Sequence, residues 1–115
     1  MIWLYSGQMR YEIVLAPAAV EAFKALSANR RAVVRDALER HLRHEPARVS
    51  KSRIKRLRGL VRPQYRLRID DLRVFYDITE DEIEVLAIIP KAEAQAWLAE
   101  EGTPDEEGGA RGGEG

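Results

Sequence analysis

The feature that most restricts the fold is the alternation of side chains between Gln64 and Ile89. From Gln64 to Ile69, Tyr65, Leu67 and Ile69 fall on one side of an extended chain and Gln64, Arg66 and Arg68 on the other. Asp70-Asp71 makes a tight turn, and Arg73–Ile78 follows as a second strand. The acidic turn Thr79–Glu82 leads to a third, Ile83–Ile89, which Pro90 ends. Strands joined by turns this short pair antiparallel, because a parallel pair needs a crossover of about a dozen residues or more.

The first half is laid out differently. Tyr11–Leu15 reads as a strand, and Pro17 opens a helix where its missing N–H costs nothing. Val20, Phe23, Ala25 and Leu26 supply that helix with an apolar side. Ser27 or Asn29 caps a second helix, in which Val34, Ala37, Leu38, His41 and Leu42 recur at helical spacing until Pro46. The stretch from Ala47 to Val61 is basic and lacks periodicity, so a loop is expected there. After Pro90, Ala92, Gln95, Ala96 and Leu98 support a closing helix to about Glu101. The expected class is α+β, in the order βααβββ with a short C-terminal helix. A helical hairpin packed on a small antiparallel sheet satisfies every element.

At 115 residues the chain has the length of one domain, expected over residues 9–101. Residues 1–8, MIWLYSGQ, are too short for a signal peptide and are taken as a leader or mis-called start ahead of Met9. Residues 102–115 hold six of the eight glycines and read as a flexible Gly/Glu-rich tail. The absence of cysteine excludes disulfides and thiol chemistry and fits the cytoplasm. No apolar run approaches the roughly 20 residues of a membrane helix.

A formal net charge of zero conceals segregation. Arg30 to Arg73 holds 15 Lys or Arg against 5 Asp or Glu, whereas Asp77 to Glu107 holds 11 acids and one base, Lys91. Such asymmetry points toward a polyanion-binding surface. With a two-residue turn, Arg68 stands opposite Arg73, so Arg66, Arg68 and Arg73 share one face of the hairpin. Like charges crowded together repel, and arginine's planar fork suits phosphate. Either an anionic ligand draws these side chains together, or each snorkels outward or pairs with Asp70, Asp71, Asp77 or Glu84. The acidic segment after Leu98 is expected to compete with a polyanion for the basic face.

Both histidines are read as structural: His41 on the apolar side of the second helix, His44 near its C-terminus. Their spacing makes no metal-ligand cluster, and no Gly-rich phosphate loop or GxSxG occurs. No metal or organic cofactor is expected.

The strings YEIVLAPAAVEAFKAL, HEP, KRLRG, YRLRIDDLRVFYDI and VLAIIPKAEAQAWL together resemble the RelE/ParE superfamily of toxins from type II toxin-antitoxin systems. The resemblance runs from about Met9 to Leu98. It implies a toxin partnered by a small antitoxin in a hetero-oligomer. RelE-like members cleave mRNA on the ribosome, ParE-like members poison DNA gyrase, and a non-catalytic homologue would act in autoregulation. The RelE-like branch is favoured, which implies a metal-independent endoribonuclease. It places phosphate-holding residues at Arg66, Arg68, Arg73 and Lys91, and RNA contacts at Lys55, Arg56, Arg58 and Trp97. Where that branch often carries a tyrosine, this chain has Trp97. Tryptophan stacks on a base, or anchors a core, but its indole N–H is no acid or base near neutral pH.

Overall fold

A computed structural model describes residues 10–105. Residues 1–8, read as a leader, and residues 106–115 of the expected tail lie outside the described residues. The chain runs β1 (Glu12–Leu15), α1 (Pro17–Ala25), α2 (Ala28–Leu42), β2 (Ile54–Arg56), β3 (Leu60–Arg62), β4 (Tyr65–Ile69), β5 (Leu72–Ile78), β6 (Glu82–Pro90), α3 (Lys91–Glu101) and β7 (Thr103–Pro104).

The helical hairpin is closed by local chemistry. Pro17 sits in the first turn of α1, and Ser27 is the cap of α2, its hydroxyl accepting from the Arg30 N–H at 3.2 Å. The Arg31 guanidinium donates to the carbonyls of Leu26 (2.5 Å) and Lys24 (3.3 Å), which lack helical partners at the end of α1. Ala19, Val34, Leu38 and Leu42 carry the buried side of the hairpin.

The main sheet has the order β1-β6-β5-β4-β2. Its β4–β5 register pairs Ile69 with Leu72 and Arg68 with Arg73, as the two-residue turn requires. Asp70 adopts φ 53°, a left-handed conformation that aspartate tolerates in turns. One face carries Leu67, Ile69, Leu72, Val74, Tyr76, Ile83, Val85 and Ile88 and forms a continuous core with the hairpin. Tyr76 is wholly buried, and its hydroxyl donates to the Pro46 carbonyl at 2.5 Å. The opposite face is covered in part by α3, whose Trp97 stacks on buried Phe75 with centroids 5.0 Å apart and planes at 10°. A helix on either side explains why β5 is buried along nearly its whole length.

Three features differ from the sequence reading. First, β1 joins the sheet parallel to β6, so the antiparallel meander gains a parallel edge, with the helical hairpin between β1 and the meander. Second, the expected loop from Ala47 to Val61 contains β2 and the start of β3. Within β2 only Ile54 is buried, so backbone pairing with β4, rather than hydrophobic alternation, makes the strand. Third, Thr103–Pro104 pairs with Leu60–Arg62, and the Asp105 N–H donates to the Gly59 carbonyl at 3.0 Å. The stretch read as tail therefore begins in a two-stranded ladder.

Candidate functional site

Alternation directs Arg66, Arg68, Arg73 and Phe75 away from the hairpin and toward α3. Lys55 of β2 stands opposite Arg66 in register and joins the same side. Between this side and α3 lies an open cavity of about 510 Å³, lined by Lys55, Arg56, Leu57, Arg58, Arg66, Arg73, Phe75, Lys91, Ala94, Gln95 and Leu98. Lys91 is held at the rim because its backbone N–H donates to the Asp71 carbonyl at 2.7 Å, tying the start of α3 to the β4–β5 turn. The positive end of the α3 dipole therefore also faces this edge.

None of the ion pairs among the described residues includes Lys55, Arg56, Arg58, Arg66, Arg73 or Lys91. Arg73 is only 8% exposed, yet its guanidinium donates to two backbone carbonyls, Asp70 at 3.0 Å and Leu72 at 2.9 Å. Arg66 is less satisfied still: its Nε is buried without any hydrogen-bond partner. Burial lowers its pKa, and the charges of Arg73 and Arg68 lower it further. The acids that could have neutralised the face are engaged elsewhere. Asp71 pairs with Arg30 at 2.5 Å, and Arg62 takes both Asp77 (3.6 Å) and Glu84 (3.3 Å). Burial raises the Asp77 pKa, while the Gln64 N–H and Arg62 oppose that rise. Among the described residues no ion pair joins Asp70, Asp71, Asp77 or Glu84 to Arg66, Arg68 or Arg73, although Asp70 shares a depression with Arg68.

Seven of the eight residues singled out from sequence are accounted for by two settings. Lys55, Arg56, Arg58, Arg66, Arg73 and Lys91 line the cavity together. Arg56 also lies over the Tyr65 ring at 5.1 Å and donates to the Gln64 carbonyl at 3.1 Å. Arg68, by contrast, is exposed and lines a separate shallow depression with Ser52, Arg53 and Asp70. The eighth residue, Trp97, is half-buried against Phe75 and is not among the cavity's lining residues. Sequence reasoning missed Phe75 and Gln95. Phe75 lies two residues past Arg73 on the same strand face, and Gln95 one helical turn beyond Lys91, so both spacings were present.

Chemically, the cavity is a field of donors. Among the described residues no carboxylate, histidine or tyrosine lines it, so these residues can bind and stabilise negative charge but offer no ordinary proton acceptor. Among the described residues no group of three or more His, Cys, Asp or Glu could hold a metal ion, and no helix is long and apolar enough to cross a membrane.

A helical hairpin on one face of a sheet, with a cation-lined cavity beneath a short helix on the other, defines a class: it is the fold seen in toxins of type II toxin-antitoxin systems. The RelBE2 toxin-antitoxin complex from Mycobacterium tuberculosis matches with a TM-score of 0.54 at 22% identity, over 71% of this chain and 99% of that one. A RelB-RelE complex from Methanococcus jannaschii matches at 0.56 and 15% identity, over 74% and 98%. The YoeB dimer from Staphylococcus aureus matches at 0.52 and 20%, over 70% and 95%. These likenesses establish the fold. The family follows from the sequence itself: residues 13–95 match the ParE toxin family of type II toxin-antitoxin systems, parDE, and the chain belongs to that family. No curated protein matches the chain.

Proposed function

We propose that this toxin is a ribosome-dependent mRNA endoribonuclease that holds the scissile phosphate in the cavity between β4, β5 and α3. The observation that carries this reading is Arg66, a guanidinium with a buried, unpartnered Nε beside the like charges of Arg73 and Arg68. A buried donor without a partner costs about 1–3 kcal/mol, and more when charged, so a site of this kind is completed by an anion. In the cleavage, the 2′-oxygen bonds to the adjacent phosphorus and the bond to the 5′-oxygen breaks. The products are a 2′,3′-cyclic phosphate and a 5′-hydroxyl. Arg66, Arg73 and Lys91 stabilise the charge that accumulates on the phosphorane, and Arg68 holds the strand alongside. Solvent takes the 2′-hydroxyl proton and returns one to the leaving oxygen. Trp97 fixes Phe75, the apolar floor of the cavity.

The protein partner is an antitoxin, as the RelBE2 and RelB-RelE complexes suggest by likeness, and an acidic segment of it would neutralise the basic face in a hetero-oligomer. Action on ribosomes places the toxin in the cytoplasm. Induction in cells followed by toeprinting of translated mRNA tests the reading. Arg66→Ala or Lys91→Ala should each slow cleavage by about 10²–10³-fold, the usual loss when one transition-state donor is removed. Intact message after wild-type induction would overturn it.

The match to ParE toxins favours a second reading, in which the same cations form a docking patch for DNA gyrase and no RNA chemistry occurs. Supercoiling assays with purified protein separate the two: trapped gyrase-DNA cleavage complexes support the second, and unaffected supercoiling removes it. A harmless induction phenotype with operator binding by the toxin-antitoxin pair would instead indicate a non-catalytic, autoregulatory homologue.

A further inference from the structure

A second cation-rich cavity, of about 400 Å³, lies between the last turn of α2 and the segment entering β2. It is lined among others by Arg40, His41, His44, Glu45, Arg48 and Arg53. Arg40 pairs with Asp36 at 3.1 Å and Arg48 with Glu45 at 3.0 Å, but none of the ion pairs among the described residues includes Arg53. His41 registers the resulting field. Its pKa is lowered first by burial and then by Arg53 and Arg40, with Asp36 opposing.

A row of arginines runs between this cavity and the first. Arg73 faces Arg68 across the β4–β5 ladder, and the Arg68 N–H donates to the Arg53 carbonyl at 2.8 Å. Arg53 lines both the shallow depression beside Arg68 and the His41 cavity. At about 4.8 Å per strand, the row crosses roughly 10 Å of sheet, too far for one phosphate to serve both ends.

We propose that the His41–Arg53 cavity is a second phosphodiester subsite, which takes a backbone phosphate of the same RNA strand whose scissile phosphate lies against Arg66 and Arg73. The identity of that strand rests on the ribonuclease reading, whereas the anion site does not. Arg53 supplies the uncompensated charge, and a protonated His41 adds a second donor. Bound phosphate therefore favours the imidazolium and draws a proton onto His41.

The test is an NMR titration of the His41 imidazole in the full-length toxin, with inorganic phosphate and with a ten-nucleotide RNA carrying 2′-O-methyl groups to block attack. Each probe should raise the His41 pKa by about one unit, as an opposite charge at close range does. Arg53→Gln should abolish both responses and reduce the slope of log affinity for the RNA against log salt by about 0.7, the value of one phosphate contact on a single strand. Arg53→Lys should restore most of that slope. A dinucleotide with a single phosphate should bind Arg53→Gln and wild type alike. A His41 signal indifferent to both probes overturns the subsite. A response to inorganic phosphate alone overturns the shared strand. Arg66→Gln should keep the response to inorganic phosphate, and a wild-type toxin that fails to cleave mRNA but shows this response would refute the ribonuclease reading and not the subsite.

Discussion

Arg66 shows how one residue serves binding at the expense of comfort in the free protein. Its guanidinium has a buried Nε with no partner and two arginines for neighbours, so removing its charge sacrifices no ion pair. Arg66→Gln should leave the thermal unfolding midpoint unchanged or raise it, while RNA affinity falls tenfold or more; differential scanning calorimetry alongside a binding titration checks both. His41 makes a pH-dependent contribution of definite sign. Its pKa is lower folded than unfolded, so below about 6.5 the unfolded chain binds more protons and stability falls with acidification. Urea midpoints measured from pH 7.5 to 5 should decline in wild type, and His41→Gln should flatten that slope. At this scale, alternation alone showed that Arg66, Arg68 and Arg73 share a face, because a period of two leaves no choice. It could not show that Arg68 lies beside Arg53 while the Arg66 Nε is buried without a partner. Nor could it show that His41 borders a cavity: helical spacing assigns a face, not what stands opposite.

Among the elements, those with strong local patterns were legible and those made by pairing were not. β4 and β5 announce themselves by alternation and turn chemistry, and α2 by its 3.6-residue repeat and Ser27 cap. β2, with one buried residue, and β7, only two residues long, have no periodic content to detect; partners that arrive from elsewhere in the chain define them. The end of α3 is one such junction. A Cβ at Gly102 would lie 2.6 Å from the Leu98 carbonyl oxygen and 3.2 Å from the Leu60 side chain, while the Gly102 N–H donates to that same Leu98 carbonyl at 2.9 Å. Gly102→Ala should therefore loosen the last turn of α3 and the β3–β7 ladder while leaving the main sheet intact. Hydrogen exchange reads this as lost protection at the Gly102 and Asp105 amides with unchanged protection in β5, and unaltered protection at those two amides would refute it.

For the molecule as a whole, charge segregation is the organising fact. The basic block from Arg30 to Arg73 supplies most of both cavities, and the ladder of β3 with β7 brings Asp105 against Gly59. Truncation after Asp105 keeps that ladder and removes three acids and Arg111, so RNA affinity should rise at low salt and converge with wild type at high salt. Filter binding at two ionic strengths checks this, and equal affinities at low salt would refute it. The sequence by itself determined the α+β class, the hairpin register, the toxin family and the identity of the basic residues, because each is written in local periodicity or in matching strings. Only the tertiary structure decided which cations share a cavity and which acids are already engaged. It alone showed that Arg66 is left unpaired and that an arginine row links two cavities. Those outcomes depend on how β2, β4, β5 and α3 meet in space, and no residue's near neighbours in the chain carry that information.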